Sequence, residues 1–418
     1  MSLLRKIGGM ALLLLLPMGV MAQSSPVADT TLSVAERNAL QGFNDTIDRL
    51  AEDFVTVSLV VCEPGPLLFS AFGHVALRLQ CPTYNLDNIF HYESEQKEGN
   101  WGRFLSGDLK MGMFCIPSKA FFAPYQADGR GIKEYVMHLT PTQEQDLWRI
   151  MDELAAKGVH QPYDYYNHGC AISIVHVIKQ ALHGTPIEYQ EWPERLDGSM
   201  RELGYRCVSN AHFPWSRLAL MTLAGSDIDD TQISKEKKLI VPVDLAEVWQ
   251  NATVNGRPLL DKEPRCIVPH TLPANKTWCT PLLISIILLV LALISWALAM
   301  FPAKSGRVLG IVIDYSILTI VTLIGIIVTY TVLFSTLPCT EWNWLIIPFN
   351  ILPIIGWYWR KYWALPYAVV VLVWCAVMTG TWLCGRIFVE WAHIIFAIAF
   401  AIVLLKQSSV LLPVINKK

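Results

Sequence analysis

The chain reads as an α+β exported domain followed by an all-α transmembrane bundle of about five helices. Three observations predict this. The N-terminus is basic and then apolar. Strand patterns cluster ahead of helical ones over roughly residues 55–184. The apolar excess is concentrated in 280–405.

Arg5 and Lys6 precede an apolar run from Met10 to Val20, and Val20-Met21-Ala22 fits a small-residue cleavage site, so 1–22 is expected to be a signal peptide. The alternative is an uncleaved first helix, for which the run is short. Residues 23–278 then form the periplasmic domain, with a core at about 50–185 and an accessory or linker segment at 186–278. The 406–418 segment is a cytoplasmic tail.

Within the domain, 34–55 carries helical spacing (Leu40, Phe43, Ile47, Leu50, Phe54). Val55 to Cys62 is a Val-rich strand, broken by Glu63-Pro64-Gly65-Pro66. From Gly73 to Leu79, apolar Val75, Leu77 and Leu79 alternate with His74, Ala76 and Arg78. Ile89 to Glu93 and Tyr135 to Leu139 are further short strands. Thr140-Pro141-Thr142-Gln143 is an N-cap, a first-turn proline and a capping-box glutamine, so a helix is expected from there to Lys157, ending at Gly158. A second helix starts at about Cys170 and ends near Gly184. Beyond it, Trp192-Pro193, Pro214-Trp215 and Asn255-Gly256 read as turns, and Val241 to Leu245 as a strand.

Apolar runs at 281–301, 308–334, 344–357, 363–384 and 388–405 are the expected spans. The third is short unless broken or tilted. Lys304, Arg307, Arg360, Lys361, Lys406, Lys417 and Lys418 all fall on one side if the first domain is exported. The positive-inside rule then places the protein in the inner membrane with a cytoplasmic C-terminus. Asp314, Glu390 and His393 are ionisable groups in or near spans, where such groups are costly and often functional. Asn343 and Asn350 could line a polar cavity.

The formal net charge of −2, with no basic stripe, excludes a nucleic-acid partner. Cys62, Cys81, Cys115, Cys170, Cys207, Cys266 and Cys279 lie in the exported part, where disulfides persist, and Cys266–Cys279 is one candidate bridge. No CxxC pair or zinc-like spacing occurs, so neither a metal nor a cofactor is expected.

Cys170 falls on the first turn of a helix, where the dipole and free N–H groups lower a thiol pKa and can hold an oxyanion. His74 falls on a strand after Gly73, which permits close backbone approach. A helix-tip Cys facing a strand His is the arrangement of nucleophilic acyl transfer. His91, on the next strand, is the candidate third group, and His168 is an alternative base.

The stretch Phe69 to Arg78 resembles the S-x-FGH-x-x-LR signature of the Lnb family, lipoprotein N-acyltransferases of Bacteroides-type bacteria. Tyr163 to Cys170 is similar to that family's Y-x-F-x-x-N-C block, and Arg130 to its R-x-x-x-x-x-x-L stretch. The chain departs from the pattern at Gly169, where Asn is usual and Asn167 lies two positions earlier, and at Phe90-His91-Tyr92-Glu93 in place of Y-N-Y-G. The order of His before Cys also resembles permuted papain-like acyltransferases of the lecithin:retinol acyltransferase group.

The resemblance implies His74 as base and Cys170 as nucleophile, carrying an acyl group as a thioester, with Ser70, Gly73, Arg78, Tyr92, Arg130, Asn167 and His168 in supporting or substrate-binding positions. It implies a phospholipid acyl donor, the N-terminal amine of a lipoprotein as acceptor, and the membrane as the shared surface. Two other functions use the same residues: a periplasmic Cys–His peptidase or amidase, and a non-enzymatic envelope scaffold with Cys170 oxidised.

Overall fold

A computed structural model describes residues 55–67, 70–94, 101–164, 168–273, 277–301, 303–355 and 357–408. The expected signal peptide, the helix at 34–55 and Asn167 lie outside the described residues.

Seven antiparallel strands form the main sheet. They are β1 (Thr56–Cys62), β2 (His74–Cys81), β3 (Leu86–Ser94), β4 (Lys110–Pro117), β5 (Ile132–Val136), β6 (Val159–Pro162) and, numbered last in the chain, β10 (Arg265–Val268). Their order is β10-β5-β1-β2-β3-β4-β6. A small sheet joins β7 (Glu188–Tyr189), β8 (Ala252–Val254) and β9 (Arg257–Pro258). Asn255 and Gly256 make the β8–β9 turn with φ of 50° and 73°, the positive values that a tight hairpin requires.

The exported helices are α1 (Trp101–Ser106), α2 (Ser118–Asp128), α3 (Pro141–Lys157), α4 (Cys170–Ala181), α5 (Met200–Asn210), α6 (Pro214–Leu223) and α7 (Pro242–Gln250). α3 has the full capping box: the Thr140 hydroxyl accepts from Gln143 N and the Gln143 side-chain Oε1 accepts from Thr140 N. Two expectations fail here. Val241 to Leu245 is not a strand but the start of α7, and Pro214-Trp215 is not a turn but the start of α6. Proline serves as a first-turn residue in both, since its missing N–H has no helical partner there anyway.

The period-2 alternation of β2 sorts the sheet into two faces. Val75, Leu77 and Leu79 join Leu59, Phe90, Tyr92 and Met113 in the main core, with Leu147 of α3, Ile174 and Ile178 of α4, and Trp249 of α7. The other face holds Val60, Cys62, Ala76, Ile89 and Ile132 against Phe121 of α2. The segment after 185 is thus part of the domain: Trp249 is fully buried in the core, and β10 pairs with β5.

The membrane part contains α8 (Pro281–Met300), α9 (Lys304–Leu333), the one-turn α10 (Leu352–Ile355), α11 (Arg360–Leu383) and α12 (Trp391–Gln407). α8, α9 and α11 are long and apolar enough to span, and α12 has 17 residues, about 25 Å at helical rise. The run at 344–357 is not one continuous helix among the described residues. It is a broken crossing of short turns around Pro348, Asn350 and Pro353. One end meets the exported domain, where Asn343 Nδ2 donates to Thr222 O at 2.8 Å. The chain then reaches Arg360, whose Nε donates to Gln407 Oε1 at 3.3 Å at the far end of α12.

Backbone outside a continuous helix needs partners inside a bilayer. Asn350 supplies them: Nδ2 donates to Ile346 O and Ile347 O, and Oδ1 accepts from Leu352 N at 2.9 Å. Asn350 Nδ2 also lies 2.7 Å from the Tyr367 hydroxyl. Gly325 of α9 lets this backbone approach, since a Cβ there would lie 2.6 Å from Asn350 O.

Gly73 makes the corresponding close approach in the exported domain. Its φ is +81° and a Cβ would sit 2.5 Å from Cys62 O. Gly73→Ala is expected to cost about 1–3 kcal/mol from backbone strain before the clash is counted, and to displace His74. Thermal unfolding of the detergent-purified protein measures it. A melting temperature equal to wild type would show that the bend does not depend on glycine.

Candidate active site

The site is assembled where the tip of α4 meets the start of β2. Cys170 is the first residue of α4, capped by Gly169 with φ −70° and ψ 160°. Its neighbours inside the helix, from Ala171 to Ile178, are almost all buried against the sheet, which fixes the helix tip. Hydrogen bonding from the backbone N–H groups of Val75, Ala171 and Cys170 itself favours the charged form of the thiol. Val75 directly follows His74. Burial pushes the Cys170 thiol up, and those three amides act in the opposite direction. The resting group is therefore a neutral thiol whose charged form has donors already in place.

His74 and His91 emerge together on the α2 face. Their rings lie edge to face at 5.6 Å, and His91 packs on Phe121 at 5.1 Å. Burial, then the charges of His91 and Arg130, lower His74 to about 3, and burial lowers His91 to about 4. Both imidazoles are neutral, hence proton acceptors, across the physiological range. No hydrogen bond joins Cys170 to His74 among the described residues; the thiol takes its polar contacts from the amides.

Two residues that the sequence did not single out sit under this junction. Cys62 pairs with His74 across β1 and β2. Its thiol, hydrogen-bonded to Tyr125, is pushed up to about 12 by burial, and a thiolate formed at Cys170 raises both groups further. The parity of β1 could have revealed Cys62, since it ends the strand on the His74 face. Tyr125 had no comparable signal, because its placement depends on α2 folding back under the sheet.

The other candidates divide into scaffold and periphery. The Ser70 hydroxyl bridges Leu67 N and Leu67 O, and Ser70 O accepts from Gly65 N and Gly73 N, so Ser70 ties the turn before β2. Arg130 donates from Nε and Nη2 to Glu63 O and lies 4.6 Å over the Tyr125 ring, bracing the end of β1. Arg78 shares the His74 face but is engaged by Asp87 at 2.7 Å and by buried Glu134 at 3.1 Å. Tyr92 faces the main core, where burial raises its hydroxyl to about 12. His168 donates its backbone N–H to Asp164 O, and its charge acts on His176 of α4. All ten cysteines are free, so neither a Cys266–Cys279 bridge nor a disulfide at Cys170 is formed.

A cleft of about 420 Å³ opens beside Glu63 and Pro64, with Arg206, Asn210, His212 and Asp244 on its walls. The ion pair of Glu63 with His270 forms part of its rim.

The exported domain is docked on the bundle through α6. Arg217 makes a two-pronged ion pair with Glu390, Nε to Oε2 at 2.6 Å and Nη2 to Oε1 at 3.2 Å. Thr222 Oγ1 meets His393 Nε2 at 2.8 Å. Gly225 N donates to Cys339 O, and Thr336 N to Ser106 O. At the opposite end Asp314 pairs with Lys406 at 2.8 Å and accepts from Ser295 Oγ at 2.6 Å. The ionisable groups of the spans are thus matched to partners.

This two-part build is what comparison with known families finds. Residues 43–194 match the Lnb N-terminal periplasmic domain, and residues 273–418 match the Lnb transmembrane domain. The chain belongs to the Lnb family. It is a membrane protein with a periplasmic domain and a helical membrane region, as the sequence resemblance implied. No curated protein and no solved structure matches the chain.

Proposed function

We propose that this Lnb-family protein is an inner-membrane acyltransferase, with its C-terminus in the cytoplasm, that moves a fatty acyl chain from a phospholipid to the N-terminal amine of a lipoprotein. The observation that carries the reading is the Cys170 thiol held under three backbone amides beside the strand of His74. Docking of that domain on a membrane bundle supports a lipid-anchored donor and acceptor, because tethering converts their encounter to a shared depth.

The chemistry proceeds in two steps. In the first, neutral His74 accepts the Cys170 proton as sulfur attacks the ester carbonyl. The amides of Cys170, Ala171 and Val75 stabilise the developing negative charge. Collapse expels the lysophospholipid alkoxide, which takes the proton from His74, and leaves an acyl thioester. In the second, the acceptor amine attacks that carbonyl and gives a proton to His74, and the thiolate leaves and is reprotonated. His91 orients the His74 ring through their edge contact. Unliganded catalytic hydrogen bonds are commonly loose and tighten on substrate, and the neutral starting pair suits a base that acts only as sulfur attacks.

The test is a phospholipid bearing an alkyne-tagged acyl chain, incubated with the detergent-purified chain. Expected is a hydroxylamine-sensitive adduct on wild type that is absent from Cys170→Ala. No adduct on wild type, or one that persists in the variant, overturns the reading.

A further inference from the structure

α5 separates the 420 Å³ cleft described above from a second, smaller cavity. This one lies between α5, α6 and the loop Leu337–Thr340 that follows α9. Its walls are Phe72, Phe104, Leu220, Met221, Leu223 and Leu337. The charged side chain bordering it is turned to other work, since Arg201 donates to Asp229 at 2.7 Å and to Gly225 O. Thr340 Oγ1 is likewise used by Leu337 O at 2.8 Å. A cavity lined this way offers nothing to water and suits hydrocarbon.

Its connections run both ways. Phe72 is two residues before His74, and Phe104 packs on Tyr163 at 6.5 Å, on the segment that leads to Cys170. Leu220, Met221 and Leu223 belong to α6, the helix that rests on α8 and α9 and holds Glu390 and His393. The cavity is therefore framed by the two chain segments that carry the reacting groups on one side and by the membrane bundle on the other.

We infer that this cavity receives the distal end of the donor's fatty acyl chain and sets the chain length that is transferred; the inference rests on the acyl-transfer reading. Its volume is about 60 Å³; since an apolar cavity of about 150 Å³ holds the six carbons of benzene, this is room for about two carbon groups. It is an end stop rather than a tunnel for the whole chain. Two methylenes in hydrocarbon contact correspond to about a tenfold preference for the chain that just fills it over one two carbons shorter.

Gly204 of α5 provides the test. A Cβ there would meet Phe72 and Leu220 at 3.4–3.5 Å, ordinary contact on the cavity wall. Gly204→Ala and Gly204→Leu fill the space in steps, and alanine also favours the helix. Phospholipids with acyl chains from ten to eighteen carbons are supplied without acceptor, and thioester on Cys170 is counted. Expected is a preferred length about two carbons shorter in Gly204→Leu, with Gly204→Ala between. An unchanged length profile on a loaded thioester overturns the end stop.

A second arm uses Cys170→Ser and a phospholipid carrying a diazirine at the chain terminus, in nanodiscs. Crosslinks on α6 or at Phe72 support the cavity independently of chemistry. Crosslinks confined to α8, α9 or α11 overturn it. Cavity crosslinks without any wild-type thioester mark failure of the acyl-transfer reading alone.

Discussion

His74→Gln slows thioester formation on Cys170 by about 10²–10⁴-fold at pH 7, the usual contribution of a positioned general base. The reason lies in the resting charges. Burial pushes the thiol up and holds the imidazole down at about 3, so no ion pair is stored in the ground state. Proton transfer has to occur during attack, and without His74 only solvent can accept. Loading by the variant should rise with pH toward the thiol's elevated pKa. Loading by wild type should stay level down to about pH 5. A variant that loads at the wild-type rate, or shares its flat profile, would remove His74 from the mechanism.

The same shift predicts a stability effect with a definite sign. His74 is lowered from 6.5 unfolded to about 3 folded. The unfolded chain therefore binds the proton first as pH falls. The fold keeps its full stability above pH 6.5 and loses it between there and pH 3. For one such group the loss from pH 7 to pH 5 is about 2 kcal/mol. His74→Gln should lose correspondingly less over that interval, as read by thermal unfolding at the two pH values. Equal losses in both proteins would show that His74 is not held neutral by the fold.

Glu390→Ala should loosen the exported domain from the bundle. The Glu390 side chain is 2% exposed and that of Arg217 is 22% exposed. Removing the carboxylate strands a cation already committed to the Tyr205 ring at 4.8 Å and to Ser209 Oγ at 3.1 Å. Breaking one partner of a buried pair costs about 3–5 kcal/mol, more than the intact pair contributes. Hydrogen exchange along α6 should accelerate, and proteolysis between Gly225 and Asp230 should increase. Glu390→Gln keeps the shape and one acceptor and should be much milder. Unchanged exchange in Glu390→Ala would show that docking rests on the apolar contacts of α6 instead.

Features set within a few residues were legible in the chain. The Thr140 to Gln143 capping box is closed by atoms three residues apart, and α3 begins where it says. The alternation from His74 to Leu79 fixed which side chains share a face, because successive Cβ atoms in a strand point to opposite sides. A helix tip at Cys170 followed from the apolar spacing after it. Long apolar runs must be helical in lipid, so α8, α9 and α11 were evident.

What needed the tertiary structure involves partners distant in the chain. β4 has a mixed pattern, Lys110 to Pro117, and is a strand because β3 and β6 flank it. Val241 to Leu245 alternates like a strand, yet Pro242 opens α7 because Trp249 finds its burial there in the main core. The third crossing is broken at prolines, which lack the N–H that a helix needs, and the Asn350 side chain bonds backbone groups of Ile346, Ile347 and Leu352 around the break.

By itself, then, the sequence determined a strand-borne imidazole, a helix-tip thiol and a membrane-bound C-terminal half, all from local spacing. Only the folded chain decided that the amide of Val75 reaches the Cys170 sulfur, that Cys62 and Tyr125 lie beneath it, and that Glu390 answers an arginine 173 residues away. Periodicity acts over a turn or a strand, whereas charge pairing and site assembly depend on which surfaces the chain buries against each other.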